Sequence, residues 1–483
     1  MTATALLSAI EERMAEPTAR SLASAVGSVI REGHIAEGDK LPPIRSVAMQ
    51  LGISPTTVSA AWAILQRAGM IATRGRDGTR IAPRQFGPRR YRSALTRGGA
   101  DVFRADGTIV ADRASGADGN IGADGTGITG ARPHFAVDLS TGTPDPALLP
   151  SVAASLKRIR PPAEPCSYLD EPVLAELAEI LYRTWPFAAQ QITVVDGAMD
   201  ALQLIAATHL RLGDLVAVED PCFPPLLDLL ESVGAVPVPV RLDASGPRPD
   251  DVRSSVDRGA RALVIQPRGQ NPTGISMTAT RMNELAEILY GADILVIEDD
   301  SLGSIATADD ISLGNRLPER TLHVRSYSKS HGPDLRLAAL GGPLSLMVPI
   351  IDRRFLGQGW TSRLLQRVLT DLLTDQSAIA AVDNARREYA RRRDTLVKEC
   401  AHHGIDVVGG DGLNIWVPVA DETAAMLLLA TEGIGASSGR PFMVNPDQQP
   451  HLRITTGLVQ DDFARLANVI AYAAGAHQLA RGR

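Results

Sequence analysis

The chain reads as an α/β protein of two unequal parts, a small helical head and a large body with a mainly parallel sheet. Three observations predict this. Helical amphipathic periodicity dominates residues 18–69, short continuous apolar runs alternate with helical stretches from about Asp138, and a segment poor in large apolar residues separates the two. At 483 residues the chain exceeds what one ordinary core organises. The reading divides it into a head at 16–83, a linker at 84–135 and a body at 136–477.

In the head, Leu22, Val26, Val29 and Ile30 recur at helical spacing and predict an amphipathic helix over 18–33. Gly38-Asp39-Lys40-Leu41-Pro42-Pro43 is a turn, and a short helix follows to Gln50 and stops at Gly52. Ser54 then stands as N-cap with Pro55 at the first helical position, a strong helix start. That helix runs to about Gly69, with Val58, Trp62 and Leu65 on one face. Ile71 to Ile81, broken by Gly75 and Asp77-Gly78, predicts a two-stranded wing. Three helices and a wing make a winged helix-turn-helix, in which the start of the last helix reaches base edges in the major groove of DNA.

Charge agrees with that arrangement. The whole chain carries −6, yet Thr18 to Arg92 holds twelve Lys or Arg and four Asp or Glu, a local +8 that leaves −14 elsewhere. A basic DNA-binding module on an acidic body shows this asymmetry, and so does a solvated basic face. Ser54, Thr56, Thr57 and Ser59 put short hydroxyls near the helix start, suited to phosphate contact, while Arg45, Arg74, Arg76 and Arg80 supply charge. The run from Gly38 to Val58 resembles the head piece of GntR-type regulators, with its G-x-x-L-P turn, its Arg-led short helix, L-G-I-S and T-T-V. Pro55 and Ser59 stand where many members have Arg, so the resemblance carries base contact to Arg45, Thr56 and Thr57.

From Pro83 to about Arg132 the composition turns to Arg, then Gly, Ala and Asp, and predicts a long, semi-flexible linker. In the body, Ile192-Thr193-Val194-Val195 precedes a helix from Met199. Leu215 to Val218, Ala262 to Ile265 and Ile294 to Ile297 are continuous apolar runs of buried parallel strands. A long helical region beyond Ser362 leads to a final α+β segment of about 90 residues.

Chemistry-bearing residues follow the strands in one order. Gly197-Ala198-Met199 lies between a strand and a helix, where backbone N–H groups can face a phosphate. Phe223, after Glu219-Asp220-Pro221-Cys222, can stack on a ring; Asn271 opens Asn-Pro-Thr-Gly; Asp299 follows an apolar strand; Ser326, Ser328, Lys329 and Arg336 cluster. Pyridoxal 5'-phosphate (PLP) chemistry requires a lysine for covalent attachment, an anion against the pyridinium nitrogen, a phosphate cup and a stacking group. Each need has a candidate, although singly they are weak: Asn-Pro-Thr-Gly is often only a turn, and Asp299-Asp300 could instead hold Mg²⁺. No G-x-x-x-x-G-K-[ST] accompanies those acids, and no metal site is expected.

The joint order resembles the fold-type I aminotransferase body, and head plus body resembles the MocR subfamily of GntR regulators. The resemblance implies PLP on Lys329, Tyr168 reaching the phosphate in a partner subunit, and Arg453 clamping a substrate α-carboxylate. It implies a head-to-tail homodimer that binds double-stranded operator DNA and answers to a small amino compound reacting with the Lys329-bound PLP. The alternative is a catalytically active aminotransferase with an inherited DNA-binding appendage. Relatives commonly have Tyr where Ser301 stands and Gln where Met199 stands, so only backbone contact is expected from Met199.

Cys166, Cys222 and Cys400 show no metal-binding spacing and read as reduced thiols; with no long apolar run and no signal pattern, a cytoplasmic protein without membrane contact is expected. His402-His403 and Arg391-Arg392-Arg393 read as surface.

Overall fold

A computed structural model describes residues 3–14, 16–31, 35–36, 38–67, 70–73, 78–82, 90, 135–160, 167 and 170–475. The expectations for Arg74, Arg76, Tyr168 and Cys166, and for the linker other than Arg90, lie outside the described residues.

The head holds α1 (Ala3–Glu11), α2 (Ala19–Arg31), α3 (Ile44–Gln50) and α4 (Pro55–Arg67), then β1 (Ile71–Thr73) paired antiparallel with β2 (Thr79–Ile81). Leu22, Val26 and Val29 of α2 meet Val47 of α3 and Val58, Trp62 and Leu65 of α4 in one buried core. Leu6, Leu7 and Ile10 of α1 join it, a helix the sequence reading did not anticipate. Its nine residues are short for autonomous helix formation, so packing of those three side chains holds it.

The body is built on an eight-stranded sheet: β4 (Gln191–Val195), β11 (Ala338–Gly342), β10 (Thr321–Ser326), β9 (Leu295–Asp300), β8 (Ala262–Ile265), β5 (Leu215–Asp220), β6 (Val236–Asp243) and β7 (Gly246–Pro247), in that spatial order. The steps from β10 through β9, β8 and β5 to β6 are parallel, while β11 runs antiparallel to both neighbours and β7 folds back on β6. The continuous apolar runs have a direct cause. Val216, Val218, Val264 and Ile297 enter one buried cluster, and Ala217, Leu263, Ile265 and Val296 enter another. Successive side chains point to opposite faces, and both faces are covered.

Helix α5 (Val152–Arg158), α6 (Ala175–Thr184), α7 (Ala198–His209), α8 (Pro224–Ser232), α9 (Pro249–Asp257) and α10 (Ala279–Leu289) accompany the strands, and α11 (Leu344–Phe355), α12 (Arg363–Thr374) and α13 (Gln376–His402) follow them. A smaller C-terminal sheet orders β12 (Asn414–Pro418), β15 (His451–Thr455) and β14 (Ser437–Ser438), all antiparallel, and β3 (Val137–Asp138) pairs parallel with β13 (Ile434–Gly435). It packs under α14 (Glu422–Thr431) and α15 (Phe463–Ala474).

One surface expectation is corrected. Arg391 is exposed, as are His402 and His403, but Arg392 and Arg393 are buried. Arg392 bonds Asp145 at 2.8 Å and Glu388 at 2.9 Å, and Arg393 lies 3.8 Å from Asp411. Three consecutive residues on a helix cannot share one face, and acidic partners on neighbouring elements receive the two that turn inward. Head and body also touch: Leu212, in the turn after α7, packs on the head core, and Arg20 reaches Asp214 at 3.6 Å.

Candidate functional site

Most of the predicted body residues lie at or just beyond the carboxyl ends of the parallel strands, where open α/β sheets gather ligands because loops diverge there. Gly197 sits between β4 and α7 at φ +101°, and no side chain caps the helix. The amides of Ala198 and Met199 are therefore among those left for an anion. Arg336, in the left-handed conformation at φ +48°, brings its guanidinium against Gly197, and a Cβ there would lie 3.2 Å from it. Glycine and arginine thus form a cradle that a larger residue at 197 would fill. Ser326 ends β10, and its hydroxyl accepts from the Ser328 amide at 3.3 Å.

Lys329, three residues beyond the end of β10, is partly buried. Withdrawal from water lowers its ammonium to about 8; Asp299 opposes that shift and Arg453 adds to it. Asp299 is the penultimate residue of β9 and is buried. Gln266 donates to its Oδ2 at 2.7 Å and Ser301 to its Oδ1 at 2.7 Å. Burial raises its pKa, while those two bonds and Lys329 pull the other way. Ser301 therefore spends its hydroxyl on Asp299.

Arg453 of β15 comes in from the smaller sheet. It donates to the Ser140 carbonyl and to Asn271 Oδ1 at 3.4 Å, with its guanidinium 5.1 Å from the centre of the Phe442 ring. Asn271 in turn donates its amide to Gln266 Oε1 at 2.8 Å. Phe223 precedes α8, half-buried, and packs on the same cluster as Ala198 and Met199.

Sequence reasoning missed Gln266, Glu219 and Phe442. The Gln266 side chain donates to the Asp299 carboxylate and accepts from the Asn271 backbone N–H, and its own backbone N–H donates to Glu219 Oε2 at 3.1 Å. Burial pushes the Glu219 carboxyl well above the ordinary range. A glutamine directly after the apolar run Ala262 to Ile265 was a signal, since a polar residue at a strand's buried end needs partners. Nothing local marked Phe442, whose role arises from a contact across the fold.

The Mg²⁺ alternative for Asp300 fails on charge. Asp300, Asp310 and His323 bring ligand atoms together, but Arg268 pairs with Asp300 and lies 3.4 Å from Asp310, and Arg325 holds Asp310 at 2.8 Å. Two guanidinium groups already neutralise both carboxylates.

In the head, Ser54 Oγ accepts from the Thr57 amide at 3.0 Å, the expected N-cap. The same oxygen lies 2.6 Å from the Thr56 hydroxyl and 2.8 Å from that of Thr57. Arg45, near the start of α3, is exposed, whereas Arg80 spends a guanidinium bond on the Gly38 carbonyl at 2.7 Å and ties the wing to the turn.

Family comparisons define the class. The model for aminotransferase class I and II matches residues 136–470, and that for bacterial regulatory proteins of the gntR family matches 18–81. The chain belongs to the MocR subfamily of GntR-type regulators, with an aminotransferase class I and II body behind a helix-turn-helix head. It is 31% identical to the vitamin B6 salvage pathway transcriptional repressor PtsJ of Salmonella typhimurium, across 92% of this chain and 95% of that one. It is 26% identical to the probable rhizopine catabolism regulatory protein MocR of Rhizobium meliloti, across 86% and 81%. Among solved structures, the body shares the fold of LysN, an α-aminoadipate aminotransferase from Thermus thermophilus, with a TM-score of 0.64 at 20% identity over 71% of this chain and 93% of that one. Among the described residues, no helix is long and apolar enough to cross a membrane.

Proposed function

We propose that the protein is a PLP-dependent transcriptional regulator in which an amino compound reacting at Lys329 controls how the head binds double-stranded operator DNA. The observation that carries this is a lysine with a depressed pKa within reach of a buried carboxylate and of Arg453, on a chain that also holds a glycine–arginine cradle and a capped recognition helix. The residues fit PLP because the cradle is open only while position 197 is glycine. Gly197, Ala198 and Met199 amides, Ser326, Ser328 and Arg336 would hold the phosphate, Phe223 the ring face, Asp299 the ring nitrogen and Asn271 a ring edge. When bound, PLP supplies an aldehyde that captures amines and a ring that withdraws electrons.

Lys329 supplies the attaching nitrogen, and burial moves it toward the free amine such attachment needs. Gln266 and Ser301 hold Asp299 in place against a ring nitrogen. Arg453 offers a carboxylate its planar fork, exchanging Asn271 and Ser140 for the ligand. An effector that binds one arrangement of the body better than another shifts the heads accordingly.

A head-to-tail homodimer completes the reading, with Tyr168 reaching the partner's phosphate. The stripe of exposed Leu344, Val348 and Phe355 on α11 supports such an interface. The active aminotransferase with a DNA-binding appendage remains a second reading, favoured by a Lys329 poised to act as a base.

Borohydride reduction followed by digestion and mass spectrometry tests the attachment. A pyridoxyl group on the peptide containing Lys329, absent in Lys329→Ala, is the expected result. Its absence from the native protein overturns the reading. Steady transamination without sequence-specific DNA binding at physiological salt would instead establish the enzyme.

A further inference from the structure

Arg90 stands near the start of the linker, beyond the wing, yet it is fastened to the body. Its backbone amide donates to Asp228 Oδ1 at 3.0 Å, its Nη2 to Glu231 Oε1 at 3.0 Å and its Nη1 to the Met443 carbonyl at 3.2 Å. Asp228 and Glu231 are one turn apart on α8, the helix that Phe223 opens. Met443 belongs to the segment that carries Phe442 beneath Arg453. One linker residue therefore bridges the element on the ring-stacking side of the site and the element on the carboxylate-clamp side.

That second element is knitted to the site by its backbone. The Phe442 carbonyl accepts from the Cys222 amide at 2.7 Å, and Asp220 accepts from the Val444 and Asn445 amides at 2.9 and 3.3 Å. Asp220 and Cys222 lead straight into Phe223. Phe442 adjoins Met443, whose carbonyl Arg90 holds, so a displacement of Arg453 that shifts the Phe442 backbone reaches the linker contact. The sequence around Arg90 is Arg89-Arg90-Tyr91-Arg92, a basic run, and Arg90 itself meets the acidic side of α8. Half-exposed ion pairs are individually weak, which suits a contact that must release.

We propose that the acidic side of α8, together with the Met443 carbonyl, is a docking surface for the basic start of this chain's own linker. Arg90 is its anchor, and the occupant of Arg453 sets how firmly it holds. The coupling rests on Arg453 receiving the effector's carboxylate; the docking does not. The linker's hold on the body then restricts where the head can reach, and its release widens that range.

Limited trypsin digestion of the full-length, PLP-loaded protein tests both halves, because Arg84, Arg89, Arg92 and Arg97 make the linker cleavable. Asp228→Asn with Glu231→Gln is expected to raise the rate of linker cleavage at least threefold while leaving the bound-cofactor absorbance unchanged. Arg90→Gln, a linker change that leaves the body intact, should reproduce the faster cleavage at the neighbouring arginines. Rates equal to wild type in both variants overturn the docking. With L-alanine as the probe, the wild-type rate is expected to change at least twofold and the variant rates not at all. No change in wild type, in a sample whose cofactor absorbance responds to L-alanine, overturns the coupling. A sample that takes up no PLP refutes the Lys329 reading instead, and the variant comparison still decides the docking.

Discussion

In the body, Asp299, Asn271 and Arg453 are 3%, 7% and 6% exposed and bond one another through Gln266 and Asn271. In the head, Arg45, Ser54 and Thr56 stand in solvent, and the Ser54 and Thr56 hydroxyls bond locally within one helix turn. A buried polar network concentrates its free energy in few contacts, because each group left without a partner costs its full desolvation. An exposed phosphate-binding surface spreads the same task over many charges, each replaceable by water or salt. Single substitutions should therefore act strongly in the body and gently in the head.

The largest effect is expected from Arg453→Ala. It removes the fork from a carboxylate ligand, and deleting one partner of a buried charge pair costs about 2–5 kcal/mol. Amino acids should then perturb the bound-cofactor absorbance only at concentrations roughly thirtyfold higher or more, following the same magnitude. Amines without a carboxylate should lose little. Equal losses for both ligand types would mean that Arg453 supports the fold and not the ligand. Arg453→Lys should not restore binding, since an ammonium cannot present two parallel donors.

Proton linkage provides the next test. The folded protein holds the Lys329 ammonium at about 8, below the usual 10.5. Between those values an unfolded chain keeps a proton that the folded, cofactor-free protein has shed, so stability rises as pH climbs through that window. Lys329→Met should remove this rise. Urea midpoints of both proteins at pH 7.5 and 10 measure the difference; parallel changes in the two would show that the lysine titrates normally.

Legibility in the sequence divides along the same line. Ser54-Pro55, the face of Val58, Trp62 and Leu65, and the apolar strand runs were readable because capping, helical period and two-sided burial are local properties. The positions of Gly197, Asp299 and Lys329 were readable because each lies at or just beyond the carboxyl end of an apolar strand run, where strands of one direction bring their ends to one side of the sheet. The Phe442 ring beneath Arg453 and the inward turn of Arg392 toward Asp145 were not, since each depends on how separate elements pack, and the Ser301 hydroxyl's attachment to Asp299, only two residues away, depends on a side-chain rotamer that no sequence pattern fixes. The reach of Arg90 to Met443, across 353 positions, is the extreme case.

On the head, Arg45→Ala should weaken operator binding only a fewfold at moderate salt and reduce the salt slope by about one, as one phosphate contact predicts. PLP content should not change. Fluorescence anisotropy across a salt series reads both values. A loss confined to one operator sequence, with an unchanged slope, would turn Arg45 from a phosphate contact into a base contact.

The smallest effect is expected from Ser54→Ala. The hydroxyl accepts from the Thr57 amide and sits against two neighbouring hydroxyls, and removing an N-cap costs about 1 kcal/mol. Ser54→Gly should cost only a few tenths, since water can then reach the freed amide. Where α4 opens together with the rest of the head, amide exchange in the peptides around Trp62 should quicken about fivefold, the factor that 1 kcal/mol gives. Body peptides should exchange as before. If peptides around Leu212 and Asp214 quicken with them, the head's opening is transmitted through Leu212 and the Arg20–Asp214 contact. The weak and strong regions would then be one cooperative unit, and the additive contrast between them would fail at the junction that a regulator must use.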